Sequence, residues 1–323
     1  MSKTEPFLGA PNFLPALAAA RAAAGGQDYP AGALYVVATP IGNLADIGLR
    51  ALHVLDIADA VACEDTRHTQ QLLRAYGLDG KALIALHEHN ELQAAQTVLV
   101  RLQAGERVAY VSDAGTPAIS DPGARLVAAC RAAHVRVLPL PGASSVTTAL
   151  SVAGLAGDGH FVFAGFLPTK SGERAQAVQA LAAEPRAVVL LEAPHRIAAL
   201  GDALARLGER PVTVGRELTK QFEQIATLPC AELPAWLAAD AQRQRGEFAL
   251  VLHPAPGADD SAESERVLRL LLAELPTKSA VKLAADITGA PRNVLYARAL
   301  ALKSAEQNGS PPDGAPRIGR ARA

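Results

Sequence analysis

From Leu34 onward, short apolar runs rich in β-branched residues alternate with amphipathic stretches of helical length, and this alternation constrains the fold most. Buried strands interleaved with helices of roughly 10 to 14 residues indicate a mainly parallel sheet covered by helices. Residues 34–38 read as the first strand, followed by a loop and a helix over 46–57. Residues 60–63, 82–86, 107–111 and 135–140 read as further strands, with helices expected over 66–76, 91–104 and 122–133. A second α/β unit begins near His160, with strands expected at 161–166, 186–192, 212–218, 224–228 and 247–253. The strands at 212 and 224 are too closely spaced for a crossover, so part of that sheet should be antiparallel.

This pattern divides the chain into an N-terminal α/β domain over 31–155 and a second α/β domain over 156–254. A linker by composition covers 255–263, and a small helical module follows over 264–303. Residues 1–30 are rich in Ala, Gly and Pro and read as a disordered extension; the Gly-, Pro- and Arg-rich residues 304–323 read as a disordered tail. No stretch of about 18 uncharged apolar residues is present, so no membrane span is expected. The stretch Phe13–Gly26 is interrupted by Pro15 and Arg21, which also argues against a secretion signal. Cys63, Cys130 and Cys230 lie far apart and form no C-x-x-C pair, which suits reduced thiols in a cytoplasm. A net charge of −1 gives no global field for nucleic acid, so any such binding must use local patches.

Three Gly/Pro loops directly follow strands of the first unit: Ala38–Asn43, Ser112–Ile119 and Leu140–Ser145. Ligands of open α/β sheets bind outside the carboxyl ends of the strands, where such loops converge. The first loop has no G-x-G-x-x-G, so the dinucleotide fingerprint is absent. Gly165-Phe-Leu-Pro-Thr-Lys-Ser171 has Thr169 where a phosphate-binding P-loop needs glycine, and Val146 spoils Gly142–Val146 as a nucleophile elbow. Nucleotide triphosphatases and serine hydrolases are thereby disfavoured.

Polar clusters sit at strand ends. In Glu64-Asp-Thr-Arg-His-Thr69, a helix cap explains Asp65 or Thr66 but not Glu64, Arg67 and His68 together. His87-Glu-His-Asn90 contains H-x-H, but no third ligand is assigned by spacing, and no metal is expected. Asp113 and Asp121 have turn and cap roles or ligand contact as alternatives. Glu192–Arg196 and Arg216–Glu223 read either as surface ion pairs or as the edge of a cleft between the domains. In the helical module, Thr288-Gly289 interrupts two helical stretches with helix-turn-helix spacing. Lys278, Lys282, Arg292, Arg298 and Lys303 against Asp286 give residues 277–303 a net charge of +4, which suits phosphate contact or a solvated helix face.

Taken together, several strings resemble the small-subunit ribosomal RNA methyltransferase I family. They are Leu34-Tyr-Val-Val-Ala-Thr-Pro-Ile-Gly-Asn-Leu-Ala-Asp-Ile47, Glu64–Thr69, Val111–Pro117 with Asp121-Pro-Gly123, Pro139–Gly142, Arg216–Lys220 and Arg245-Gly-Glu247. The resemblance runs from about residue 34 to 303. It implies a tetrapyrrole-methylase-like α/β fold of two domains, with S-adenosyl-L-methionine in the cleft between them. It implies methylation of a cytidine ribose 2′-hydroxyl in the decoding region of small-subunit ribosomal RNA, by a homodimer. Cofactor contacts are implied at Pro40, Asp113, Ala114, Gly115, Ile119, Ser144, Thr147, Leu191 and Leu218.

The ribose hydroxyl is a poor nucleophile while protonated, so Glu64, Asp65 and His68 are expected as alternative general bases. Arg67, Arg196, Lys220, Lys278, Lys282 and Arg292 are expected to meet RNA phosphates. The partner is then small-subunit ribosomal RNA or the assembled small subunit. Two alternatives stay open at this point. One is a methylase of the same fold acting on a tetrapyrrole, although such enzymes resemble G-x-G-P-G where this chain has Thr39–Asn43. The other is a ligand-sensing regulator with a DNA-binding tail.

Overall fold

The computed structural model describes residues 13–87, 90–120, 122–155, 159–255 and 260–308. Five four-residue strands form the first sheet: β1 (Leu34–Val37), β2 (Ala60–Cys63), β3 (Ala82–Ala85), β4 (Val108–Val111) and β5 (Val137–Leu140). Their spatial order is β3-β2-β4-β1-β5 and every pairing is parallel, as the alternation of strands and helices requires. β1 pairs with both β4 and β5, from Leu34 opposite Val108 and Val137 to Val37 opposite Val111 and Leu140.

Helices cover both faces. On one face, α1 (Leu14–Ala24), α2 (Leu49–Ile57) and α3 (Thr66–Ala75) bury Leu17, Leu52, Leu55 and Leu73 against Tyr35, Val61 and Val111. On the other, α4 (Glu91–Gln103) and α5 (Ala124–Ala132) bury Val98, Leu102 and Leu126 against Leu34, Ala62 and Tyr110. Full burial of each such aliphatic side chain contributes about 1.5–3 kcal/mol.

Helix α1 corrects the expectation of disorder across residues 1–30; residues 1–12 lie outside the described residues. Pro15 stands within the first turn, where its missing N–H costs nothing, so it starts the helix rather than breaking it. Arg21 does not interrupt the apolar face either. Its guanidinium leaves that face and donates two hydrogen bonds to Asp56 at 2.6 and 2.7 Å. Phe13 adds an edge-to-face contact with Tyr76, the ring centroids 5.2 Å apart.

Other differences are at element ends. The helix expected from Asp46 begins at Leu49, because Asn43 caps a separate 3₁₀ turn over Leu44–Asp46. α5 begins at Ala124, where buried Glu91 accepts from the amides of Gly123 and Arg125. Glu91 thus spans from the start of α4 to cap another helix.

The second sheet contains β6 (Phe161–Gly165), β7 (Ala187–Glu192), β8 (Pro211–Arg216), β9 (Gln224–Pro229) and β10 (Phe248–Leu252) in the order β6-β7-β10-β8-β9. Only β6–β7 is parallel; the other three pairings, including the β8–β9 hairpin, are antiparallel. Helix α6 (Ser145–Val152) follows β5 of the first sheet but packs Val146 and Ala149 on Ala187, Val189 and Val251 of the second. The first sheet's last connection therefore supplies a cover for the second. Helices α7 (Ser171–Leu181), α8 (Ile197–Leu204) and α9 (Leu233–Ala238) complete this region.

By contacts, the described residues fall into two compact units. One lies within Met1–Gln179 and Arg186–His253 and holds both sheets; the other lies within Ala180–Pro185 and Pro254–Ala323. The second unit contains three helices, α10 (Asp260–Glu274), α11 (Thr277–Thr288) and α12 (Arg292–Asn308). Leu268, Val281, Ala284, Leu295 and Ala299 form its core. Gly289 ends α11 with φ +74°, the left-handed geometry expected of a glycine terminator. No helix among the described residues is long and apolar enough to cross a membrane.

Candidate active site

The strand order places a topological switch point between β1 and β4. The connection leaving β1 runs through α2 on one face, and that leaving β4 runs through α5 on the other. A crevice opens where neighbouring connections diverge in this way.

Here the loops are tied to each other. The amide of Thr39 donates to the carbonyl of Gly115 at 2.9 Å, and the amide of Gly115 donates back to Thr39 at 3.1 Å. Thr39 Oγ1 donates to the Ser112 carbonyl at 3.2 Å. Thr116 Oγ1 donates to the Ala143 carbonyl at 3.0 Å, joining the third loop. Gly115 has φ +80°, and a Cβ there would stand 3.2 Å from Ile41 Cγ2. Only glycine makes this close approach without strain. Ala118 also adopts a left-handed backbone, φ 63°, so the loop after β4 stores strain beside the crevice.

A cavity of about 320 Å³ lies in the first unit, between these loops and the strand ends of the second sheet. Ile41, Ala114, Ser120 and Ser145 line it from the first three loops; Leu191, Gly215, Leu218 and Ala249 line it from the second sheet. Phe166, Ala193 and Pro194 close one side. The volume lies at the lower end of the usual range for small-molecule sites, about 300–1,000 Å³.

Of the nine residues implied to touch a cofactor, Ala114, Leu191 and Leu218 line the cavity. Pro40 and Ser144 adjoin the lining residues Ile41 and Ser145, and Asp113 and Gly115 flank Ala114. Ile119 and Thr147 are exposed, on the loop after β4 and on the first turn of α6. Sequence reasoning missed Phe166, Gly215 and Phe248 as lining residues. The available signal was Gly165, which has φ +61° and lies in a β-bulge of β6. Such a bulge re-aims the residues around it, and Phe166 emerges 53% exposed.

The cluster at the end of β2 sorts into separate roles. Asp65 is the N-cap of α3, accepting from the amides of Arg67 at 2.8 Å and His68 at 3.4 Å. Its carboxylate also pairs with the Arg67 guanidinium at 3.1 Å. These bonds, the Arg67 side chain first, pull its pKa down to about 2. The Asp65 amide in turn donates to Asp113 Oδ1, linking this cluster to the loop after β4. Glu64 is half-buried, His68 is exposed, and the Arg67 side chain is 88% exposed. His87 is described, whereas Glu88, His89 and Asp121 lie outside the described residues.

At the ends of the second sheet the expected phosphate ligands are committed elsewhere. Arg196 Nε stands 3.1 Å from Glu192 Oε1 in a pair whose side chains are 18% and 0% exposed, and its Nη2 donates to the Leu167 carbonyl. The Lys220 ammonium lies between Glu217 at 2.7 Å and Glu247 at 3.0 Å. Burial alone would lower the Lys220 pKa, but the two carboxylates outweigh it and raise it. In the second unit, Lys278, Lys282 and Arg292 line one groove with Val281, Asn293 and Tyr296.

The chain is similar to known proteins in sequence and in fold. Residues 33–234 match the family of tetrapyrrole (corrin/porphyrin) methylases, and residues 258–303 match the RsmI C-terminal HTH domain. The chain is 51% identical over 277 residues to ribosomal RNA small subunit methyltransferase I of Escherichia coli O157:H7, across 84% of this chain and 96% of that one. The chain belongs to the ribosomal RNA small subunit methyltransferase I family. The Pseudomonas aeruginosa protein of that name is 50% identical over 279 residues, across 84% and 97% of the two chains. The crystal structure of the methyltransferase CobJ has the same fold, with a TM-score of 0.53 at 18% identity over 69% of this chain and 95% of that one. As a member of the ribosomal RNA small subunit methyltransferase I family, the chain is a methyltransferase.

The cavity fits the methyl donor, S-adenosyl-L-methionine, on the chemistry of its walls. That molecule carries a sulfonium, an ammonium and a carboxylate, a net charge of +1. The charged residues among the cavity lining are Glu192 and Glu247, both acidic, and the remaining walls are chiefly apolar or backbone. Among the described residues, no cationic side chain lines the cavity to oppose a ligand of net positive charge.

Proposed function

We propose that this chain methylates the 2′-hydroxyl of a cytidine ribose in the decoding region of small-subunit (16S) ribosomal RNA, acting as a cytoplasmic homodimer. The observation that carries the reading is the acid-walled apolar cavity at the switch point, bounded by three loops lashed together. S-adenosyl-L-methionine supplies an activated methyl group that leaves its sulfonium by in-line displacement. The residues around it have two tasks. Ala114, Leu191 and Leu218 enclose the donor, with Pro40, Asp113, Gly115 and Ser144 setting the backbone beside them, and with Ile119 and Thr147 at the rim. Holding donor and hydroxyl in line supplies much of the rate, since well-oriented reactants gain up to about 7–11 kcal/mol over free encounter.

Glu64 and His68 are the proposed acceptors of the hydroxyl proton, and Arg67 the proposed phosphate contact beside them. Asp65 is ill-suited to the proton, because a base held near pKa 2 has little affinity for it at neutral pH. The helical module adds Lys278, Lys282 and Arg292 as further phosphate contacts. An unpaired or splayed nucleotide is the form of substrate that such a cleft can admit.

The test is transfer of labelled methyl from S-adenosyl-L-methionine to small ribosomal subunits lacking their own modification, with nuclease mapping of the labelled nucleotide. Label on a cytidine ribose oxygen in the decoding region is expected. Cofactor binding without any label on the subunit or its RNA would discard the substrate and keep the fold.

A further inference from the structure

The second unit places its free cations around an aromatic ring. A groove of about 450 Å³ between α11 and α12 is lined by Lys278, Val281, Lys282, Arg292, Asn293 and Tyr296. Lys278 and Lys282 are four residues apart and lie on one face of α11; Arg292 and Tyr296 have the same spacing on α12. Lys278 and Lys282 are exposed and have no ion pair among the described residues. Arg292 reaches Asp286 at 2.9 Å, an exposed pair that a phosphate can displace. Arg298 is different. Glu265 of α10 holds it at 2.5 Å, which removes it from the set of available cations.

Tyr296 is unusual within this chain. Only 4% of residues are aromatic, and the other four tyrosines (Tyr29, Tyr35, Tyr76 and Tyr110) are buried, whereas Tyr296 is 48% exposed. An exposed ring between cations, with the Asn293 amide beside it, is the combination that holds unpaired nucleotides: the ring stacks a base and the cations take its phosphates. Reading a duplex needs a helix face of hydrogen-bonding side chains that enters a groove. The exposed face of α12 instead mixes Arg292, Asn293 and Arg298 with Val294, Tyr296 and Leu300, so aromatic and apolar side chains interrupt it. We propose that the α11–α12 groove binds single-stranded RNA by stacking one unpaired base on Tyr296, with Lys278 and Lys282 on the adjoining phosphates. This rests on the reading above that the substrate is RNA.

The test measures binding of the full chain to a single-stranded RNA oligonucleotide carrying 2-aminopurine, and to the same sequence as a duplex. The single strand is expected to bind more tightly, with quenching of the 2-aminopurine. Tyr296→Ala is expected to weaken single-strand binding about tenfold and abolish the quenching, while Tyr296→Phe and Tyr296→Trp restore both. Lys282→Ala is expected to weaken binding of both forms and lower the salt slope by about 1. Unchanged single-strand binding by Tyr296→Ala, a preference for the duplex, or no binding of the single strand by the parent chain would each overturn the proposal. Methyl transfer to subunits is scored separately. A chain that stacks the base but transfers no methyl retains this site and loses the proposed reaction. A chain that methylates subunits while Tyr296→Ala binds like the parent loses only the site.

Discussion

Breaking the Glu192–Arg196 pair tests the most deeply buried of the described ion pairs beside the cavity. Glu192 is fully buried at the end of β7, and its Oε1 accepts from the Ala193 amide at 2.9 Å. The Arg196 Nε contact of 3.1 Å is close but lies off the hydrogen-bond line, so Nε and Glu192 Oε2 lack hydrogen bonds of their own. A buried pair this incompletely satisfied recovers its desolvation cost poorly. Removing one partner is worse, because the other charge is left bare in the interior, at a cost of about 3–5 kcal/mol. Glu192→Leu and Arg196→Met are each expected to lose that much in urea denaturation, on the order of 10 °C in Tm. The double variant Glu192→Leu/Arg196→Met exchanges the charges for apolar volume and is expected to recover most of the stability. The cycle then gives a coupling of at least about 4 kcal/mol, the sum of the two single losses less the small loss of the double. Cofactor affinity should not recover, because Arg196 also holds the Leu167 carbonyl, next to Phe166, while Ala193 and Pro194 follow Glu192 directly. Calorimetry with S-adenosylhomocysteine reads that second effect. Single variants that cost less than about 1 kcal/mol, or a coupling near zero, would refute the reasoning and make this a pair of surface strength.

Gly115→Ala places a Cβ in a left-handed backbone and 3.2 Å from Ile41. It is expected to cost about 1–2 kcal/mol in thermal unfolding and to weaken cofactor binding. Asp65 has a depressed folded pKa, so its stabilisation is complete above the unfolded carboxylate value of about 4 and is lost as pH falls towards about 2. Asp65→Asn, which keeps the cap but not the charge, should flatten the decline of Tm over that window and lower Tm at neutral pH, towards the value the parent chain reaches in acid. Burial raises the pKa of Cys63, and takes Cys130 and Cys230 to about 11. A thiol reagent at pH 8 should therefore find no reactive cysteine in the native protein and all three in denaturant.

The first sheet was legible because its inner strands β1, β2 and β4 are buried on both faces and its helices each have an apolar side, so period and length distinguished them. The β8–β9 hairpin was legible from spacing alone. What sequence reasoning lost were features decided by distant partners. Pro15 and Arg21 look like breaks in an apolar segment until Asp56, 35 residues from Arg21, supplies an ion pair. Glu91 looks like a helix-surface acid until the amides of Gly123 and Arg125 reach it. For Arg196 and Lys220 a sequence shows the charge but not the carboxylates bound to them, Glu192 for one and Glu217 and Glu247 for the other. Conversely, Lys278, Lys282 and Arg292 were recognisable as a basic stretch, but the ring in their midst was not, since only packing reveals which tyrosine is left outside a core.

These placements bear on how the reaction is divided among residues. Methyl transfer asks for alignment more than for charge, because the sulfonium loses its positive charge as it reacts, and a cavity that strongly stabilised that cation would resist transfer. The first unit answers with geometry. The Thr39–Gly115 bridge, the Thr116 bond to Ala143 and the Asp65 bond to Asp113 each tie one strand end to another. Asp65 belongs to this frame as well: the bonds that depress its pKa also fix Arg67 and the start of α3. The acid walls follow the same logic. Glu247 is largely exposed and bonded to Lys220, and Glu192 is paired with Arg196, so neither places a bare buried carboxylate against the sulfonium. The cavity can thus admit a cation without binding it so tightly that the charge becomes costly to lose.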